Sequence, residues 1–184
     1  MADRSPFGRA ARLAGVFGAL FAALCGAAPP AELIGTPARV LDGDSFVLRT
    51  ERREIEVRLG EIDAPEHGQP YADAARNALD GLIWRQRLRA VVLDEDAYHR
   101  MVCRVYRLSD GLDVNAQLVR DGHVWVYRRR VRDAGLYDIE RAARRAKRGL
   151  WALPPADLEP PWRWRREHPR ARQKVDKPVA SISR

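Results

Sequence analysis

Cysteine is close to absent, with Cys25 and Cys103 the only two in 184 residues. A disulfide-stapled fold is therefore excluded if the N-terminal segment is removed, because Cys103 is then alone. Cys103 alternates with apolar Met101 and Val105, the pattern of a buried core thiol rather than a nucleophile. His67, His99 and His123 are scattered without metal-ligand spacing, so a histidine metal centre has no support. No internal repeat occurs. The uncharged run Leu13 to Ala28 spans only 16 residues. As a helix it reaches about 24 Å, short of the roughly 30 Å of a bilayer core.

Apolar residues make up 46%, enough for a real core, and the length suits one domain plus end segments. The formal charge is +8 and the pI about 10.2. That balance favours an anionic partner such as nucleic acid, acidic lipid or an acidic polymer. Arg4, Arg9 and Arg12 precede the Leu13–Ala28 run, which ends in the small residues Gly26-Ala27-Ala28. Residues 1–28 thus read as a signal peptide, giving a secreted or periplasmic protein after cleavage. The alternative is an inner-membrane tether formed by an uncleaved helix. Leu24 just before Cys25 makes a poor lipoprotein signal. Cleavage would remove three arginines and Asp3, taking the charge from +8 to +6.

Residues 29–36 read as a linker and 37–153 as the domain. Strands are expected at Ala38–Leu41, Ser45–Thr50 and Glu54–Leu59, joined by turns at Gly43 and near Arg52. A helix over Tyr71–Gln86 follows, with Ala75, Ala78, Leu79, Leu82 and Ile83 at helical spacing. Strands Leu88–Leu93 and Met101–Leu108 come next, then a short helix Val114–Arg120 capped by Gly122. Val124–Tyr127 is extended, and a helix from Asp133 to about Arg148 is stopped by Gly149. The fold class is α+β, mainly β: a five-stranded OB-fold Greek-key barrel with three helices. Residues 154–184 form a tail rich in Pro, Trp and Arg. From Glu159 to Arg184 it holds eight Lys or Arg against three acids. Trp162 is expected to pack back on the domain, with disorder after about His168.

Two stretches carry candidate chemistry: Val40-Leu41-Asp42-Gly43-Asp44-Ser45-Phe46 and Val57-Arg58-Leu59-Gly60-Glu61-Ile62-Asp63-Ala64-Pro65-Glu66. Pro65 forces Ala64 into extended backbone, so the Ala64 carbonyl points outward beside Asp63. Asp44, Asp63 and that carbonyl form a hard, all-oxygen set suited to calcium. Glu66 follows three residues later, in reach of an attacking water. Arg58 and Arg100 have the forked guanidinium that suits phosphoryl oxygens. Strand parity puts Arg58 and Asp63 on opposite faces unless Gly60 marks a bulge, a bend or the end of the strand. Each fragment alone also fits a plainer role. Asp42-Gly43-Asp44 serves as a solvated turn, an Arg58–Glu66 pair as a surface salt bridge, and Tyr98, Trp125 and Tyr127 as core or boundary aromatics.

Taken together, the two stretches resemble the staphylococcal nuclease (thermonuclease) family. Asp96-Ala97-Tyr98-His99-Arg100 and Asn115-Ala116-Gln117-Leu118-Val119-Arg120-Asp121-Gly122 extend the resemblance, which covers roughly Pro37 to Trp151. It implies an OB barrel with three helices, calcium held by Asp44, Asp63 and Ala64, Glu66 as general base, and Arg58 and Arg100 on phosphate. Tyr98 and Tyr127, with Trp125 nearby, correspond to the family's nucleotide contacts. Ser45 and Ala64 stand where threonine is common, and His99 where glycine often precedes the arginine. If that backbone needs a positive φ, His99 strains it. The expected function is a calcium-dependent nuclease acting on DNA and RNA with little sequence specificity. No protein partner is implied and a monomer is expected. The alternative is a non-catalytic nucleic-acid-binding OB module.

Overall fold

The computed structural model describes residues 31–169. The signal-peptide reading of residues 1–28 and the expected disorder of the far tail lie outside the described residues. Strand β1 is Glu32–Val40, β2 Ser45–Arg49, β3 Glu54–Leu59 and β4 Ile62–Asp63. Helix α1 is Ala72–Ile83, β5 Leu88–Glu95, β6 Met101–Arg107 and α2 Val114–Asp121. Then come β7 at Trp125–Val126, α3 at Gly135–Arg145 and α4 at Pro161–Glu167.

Five strands close into a barrel in the order β1-β2-β3-β6-β5, with β5 returning to β1. Every pairing is antiparallel except β3 with β6. That is the OB-like α+β architecture expected from the sequence. The two-residue strands β4 and β7 pair beside the barrel, Ile62 against Val126 and Asp63 against Trp125.

Strand β1 is longer than expected and takes in Glu32–Thr36, read from the sequence as linker. Pro37 interrupts the strand signal there. The chain continues through it because the register shifts between Pro37 and Arg39, a bulge that spares the missing N–H. The first half of β1 pairs with β5 and the second half with β2. Gly35 permits the close approach of β2, since a Cβ there would lie 2.3 Å from the Arg49 carbonyl oxygen.

Phe46, Leu48, Val57, Leu59, Leu88, Ala90, Cys103 and Val105 fill the barrel, all fully buried. Leu79 and Ile83 of α1 and Leu118 of α2 close it. Each large apolar side chain so buried contributes about 1.5–3 kcal/mol. Burial pushes the Cys103 thiol up to about 12, so it stays protonated in the core. Asp113 caps α2 by accepting from the Ala116 N–H at 3.0 Å, and Gly122 ends it in the left-handed region. Helix α4 is a fourth helix beyond the three expected. None of the helices among the described residues is long and apolar enough to cross a membrane.

Candidate active site

The β1–β2 turn places Asp44. Its backbone N–H donates to Asp42 Oδ1 at 3.0 Å, and its carbonyl accepts from the Leu59 N–H at 2.8 Å. Ser45 pairs directly with Arg58, so Asp44 emerges beside the end of β3. The parity conflict between Arg58 and Asp63 is resolved by a break: β3 ends at Leu59, and Glu61 turns the chain with φ 67°. Beyond the turn, β4 delivers Asp63 to the side on which Arg58 lies.

Arg58 then bridges the two aspartates. Its Nη1 is 2.8 Å from Asp44 Oδ2 and its Nη2 is 2.8 Å from Asp63 Oδ1. Asp44 Oδ2 also accepts from the Ala64 N–H at 2.7 Å. Both carboxylates are held in a nearly dry setting, with Asp44 6% and Asp63 1% exposed. Burial raises the Asp44 carboxyl well above the ordinary range, against the pull of Arg58. Burial works against the Arg58 charge too, but Asp44 and Asp63 outweigh it and hold the guanidinium above its ordinary value.

Arg165, from α4, completes the cluster and was not singled out from the sequence. Its Nη2 lies 2.8 Å from Asp63 Oδ2 and its Nη1 3.1 Å from Asp63 Oδ1. The same Nη1 donates to Glu66 Oε1. Burial raises the Glu66 carboxyl and Arg165 partly offsets that. Glu66 is placed by its own backbone, whose N–H donates to Gln69 Oε1 at 2.9 Å. Gln69 Nε2 donates to the Glu159 carbonyl and so ties the C-terminal segment to this loop. The sequence signal for Arg165 was faint: Trp162 and Arg165 share a helical face only if Pro161 starts a helix.

These groups line one cleft of about 410 Å³, together with Tyr98, Arg100 and Tyr127. Arg100 is held by Asp96, with Nε 2.8 Å from Oδ2. His99 has φ 62°, the left-handed conformation in which glycine carries no strain. The chain accepts it there because Asp96 Oδ1 receives both the Tyr98 and the Arg100 backbone N–H groups. Trp125 is not part of the cleft. It is 3% exposed and packs edge-on against Trp151, ring centroids 5.4 Å apart. Strand β7 stops at Val126, so strand parity does not carry from Trp125 to Tyr127.

The family described as staphylococcal nuclease homologue matches residues 56–153. The chain is 37% identical over 145 residues to a micrococcal nuclease of Shigella flexneri, covering 74% of this chain and 82% of that protein. The chain belongs to the staphylococcal nuclease family. It is also 38% identical over 135 residues to an endonuclease of Escherichia coli O157:H7, covering 73% of this chain and 86% of the relative. A probable staphylococcal-like nuclease of Oryza sativa subsp. japonica is 36% identical over 121 residues, 66% of this chain and 31% of that longer protein. Helix α4, with Arg165, lies beyond the matched family domain.

A second polar cluster braces the cleft from behind. Glu61, 4% exposed, accepts from the Arg132 N–H at 2.6 Å and the Asp133 N–H at 2.7 Å. Arg104 Nη1 reaches Glu61 Oε2 at 2.8 Å, and its other nitrogens reach Asp113 and Asp133. Asn115, fully buried, donates to the Gly60 carbonyl at 2.9 Å and accepts from the Val105 N–H at 3.1 Å. Glu61, Arg104 and Asn115 position the 60–66 turn, and of them only Glu61 also lines the cleft.

Proposed function

We propose that this protein is a calcium-dependent nuclease hydrolysing phosphodiester bonds of DNA and RNA with little sequence preference. The observation that carries the reading is the convergence of Asp44, Asp63 and Glu66 with Arg58 in one cleft of a nuclease-family domain. The donor set fits a hard dication: two carboxylates and the Ala64 carbonyl, oxygen throughout. The Arg165 guanidinium already sits against Asp63 and Glu66, so positive charge is accommodated beside these carboxylates. Among the described residues no group of three or more His, Cys, Asp or Glu is arranged to hold a metal. The remaining coordination would come from backbone, water and substrate, as a catalytic site needs.

Bound calcium would supply positive charge to the phosphoryl oxygens and ease ionisation of water. The chain's own residues do the rest. Glu66, raised by burial, is suited to take the proton of the attacking water. Arg58, fixed by two aspartates, and Arg100, fixed by Asp96, present guanidiniums to the phosphoryl group from two sides of the cleft. Tyr98 and Tyr127 offer flat faces to the flanking bases. Export as a secreted or periplasmic protein is part of the same proposal. Mass measurement of the exported protein should show the loss of roughly 25–31 residues, the length of a signal peptide; a full-length mass in the membrane fraction would favour the tether.

One observation favours the non-catalytic alternative: Arg165 holds Asp63 and Glu66, the two carboxylates that the reaction needs. The deciding experiment incubates plasmid DNA and single-stranded RNA with the protein in calcium or in chelator. Cutting with calcium and none in chelator is the expected result. Cutting that survives chelation refutes the metal, and binding without cutting in calcium refutes the enzyme.

A further inference from the structure

Beside the cleft lies a second cavity of about 550 Å³, lined by Tyr127, Arg128, Arg129, Trp162, Arg165 and Arg166. It holds four guanidiniums, two aromatic rings and no carboxylate. Tyr127 and Arg165 belong to both linings, so the cavity continues from the cleft. Arg128, Arg129 and Arg166 are exposed. Arg130, next in the chain, is tied to Asp94 at 2.9 Å, whereas those three form no ion pair among the described residues. Tyr127 and Trp162 meet with ring centroids 6.2 Å apart and planes inclined by 42°. The C-terminal segment is moored by Arg165 on Asp63 and by Gln69 on the Glu159 carbonyl, so this wall is part of the folded domain.

We propose that helix α4 and the turn at Tyr127–Arg129 form a subsite for single-stranded nucleic acid, holding the unpaired nucleotides that run out of the cleft. The inference rests on the nuclease reading and extends it to a helix outside the family domain. Guanidiniums free of carboxylates answer a phosphate backbone, and two adjoining aromatic rings answer bases. Base stacking requires unpaired nucleotides, which selects single strands over duplex. An anionic surface without bases would use the arginines and leave the two rings idle.

The test uses the full chain in chelator, where binding is read without cutting. The probe is a labelled thymidine oligonucleotide of about ten residues, matched to the span of one OB domain and its flank, followed by anisotropy across a salt series. Trp162→Ala should weaken binding roughly 5- to 150-fold, the range expected for one lost base stack. Trp162→Phe should restore most of it. Neither change should matter for a polyphosphate of equal charge. Replacing Arg128, Arg129 and Arg166 together by glutamine should lower the salt slope by about 2, at roughly 0.7 per phosphate on single strands. Should Trp162→Ala fail to fold by thermal unfolding, Arg166→Glu at its exposed position serves alone and must weaken the oligonucleotide at least several-fold. Unchanged oligonucleotide affinity in these variants overturns the subsite, as does an equal loss for polyphosphate in Trp162→Ala. Because cutting is not measured, a protein that never cuts but shows these losses refutes the nuclease reading and keeps the subsite.

Discussion

Asn115→Ala should be among the most damaging substitutions in the protein, although Asn115 touches nothing in the cleft. Its amide donates to the carbonyls of Gly60 at 2.9 Å and Cys103 at 3.2 Å, and its oxygen accepts from the Val105 N–H at 3.1 Å. The Cys103 carbonyl keeps a second partner, the Gly60 N–H at 2.8 Å. Alanine therefore strands one buried N–H on β6 and one buried carbonyl at Gly60. Each stranded group costs about 1–3 kcal/mol, and the lost atoms leave a small cavity besides. A total of about 3–5 kcal/mol is expected, against a whole stability of about 5–15 kcal/mol. Urea unfolding followed by fluorescence should show the midpoint falling by about 2 M, at a slope near 2 kcal/mol per molar. Thermal unfolding should fall by roughly 10 °C. Asn115→Asp keeps the acceptor for Val105 but loses both donors and buries a charge, so it should be no better. A loss below about 1 kcal/mol for Asn115→Ala would mean that water or a backbone shift satisfies Gly60 and Val105, and the bracing argument would fail.

Two further outcomes follow from other parts of the fold. Burial lowers the His123 pKa below its ordinary 6.5, with the ring stacked on Tyr71 and bonded to its hydroxyl at 3.0 Å. In the window between that lowered value and 6.5 the unfolded chain binds more protons than the native one, so stability rises with pH. Unfolding measured across this window should show that slope in the wild type and a flatter one in His123→Gln; equal slopes would refute the assignment. Arg100→Lys keeps the charge but loses the fork that Asp96 holds, and should lower turnover about tenfold or more while changing substrate affinity less. A silent Arg100→Lys, with cutting intact, would leave Arg58 as the sole phosphate arginine.

The barrel was legible because β2, β3, β5 and β6 are short apolar runs separated by turn residues, and because α1 repeats its apolar positions at helical spacing. The length of β1 was not, since Pro37 reads as a stop and the bulge that accommodates it is a property of two pairing partners. The convergence of Asp44 with Arg58 and Asp63 was legible through the turn at Gly43 and the break at Gly60. Arg165 was not, because its place depends on contacts about a hundred residues apart in sequence, and Pro160-Pro161 followed by arginines reads as a basic tail in which only Trp162 was expected to pack back. Trp125 was misplaced in the cleft for a related reason: its orientation is set by Trp151, which follows α3. The Glu61–Arg104 brace likewise joins four separate segments and leaves no local pattern.

The most direct measurement compares Glu66→Gln with the wild type in single-turnover cleavage at saturating single-stranded DNA, in calcium, with affinity measured separately in chelator. Glutamine keeps the size of Glu66 and can still accept from Arg165, but it cannot take a proton from water. Loss of a general base typically costs about 10²–10⁴ in rate. The expected result is a loss of that size in the cleavage step, with affinity unchanged or slightly higher because a negative charge has left the cleft. A Glu66→Gln protein that cuts at the wild-type rate, or a wild type that binds and never cuts, would contradict the assignment of this cleft as a hydrolytic site.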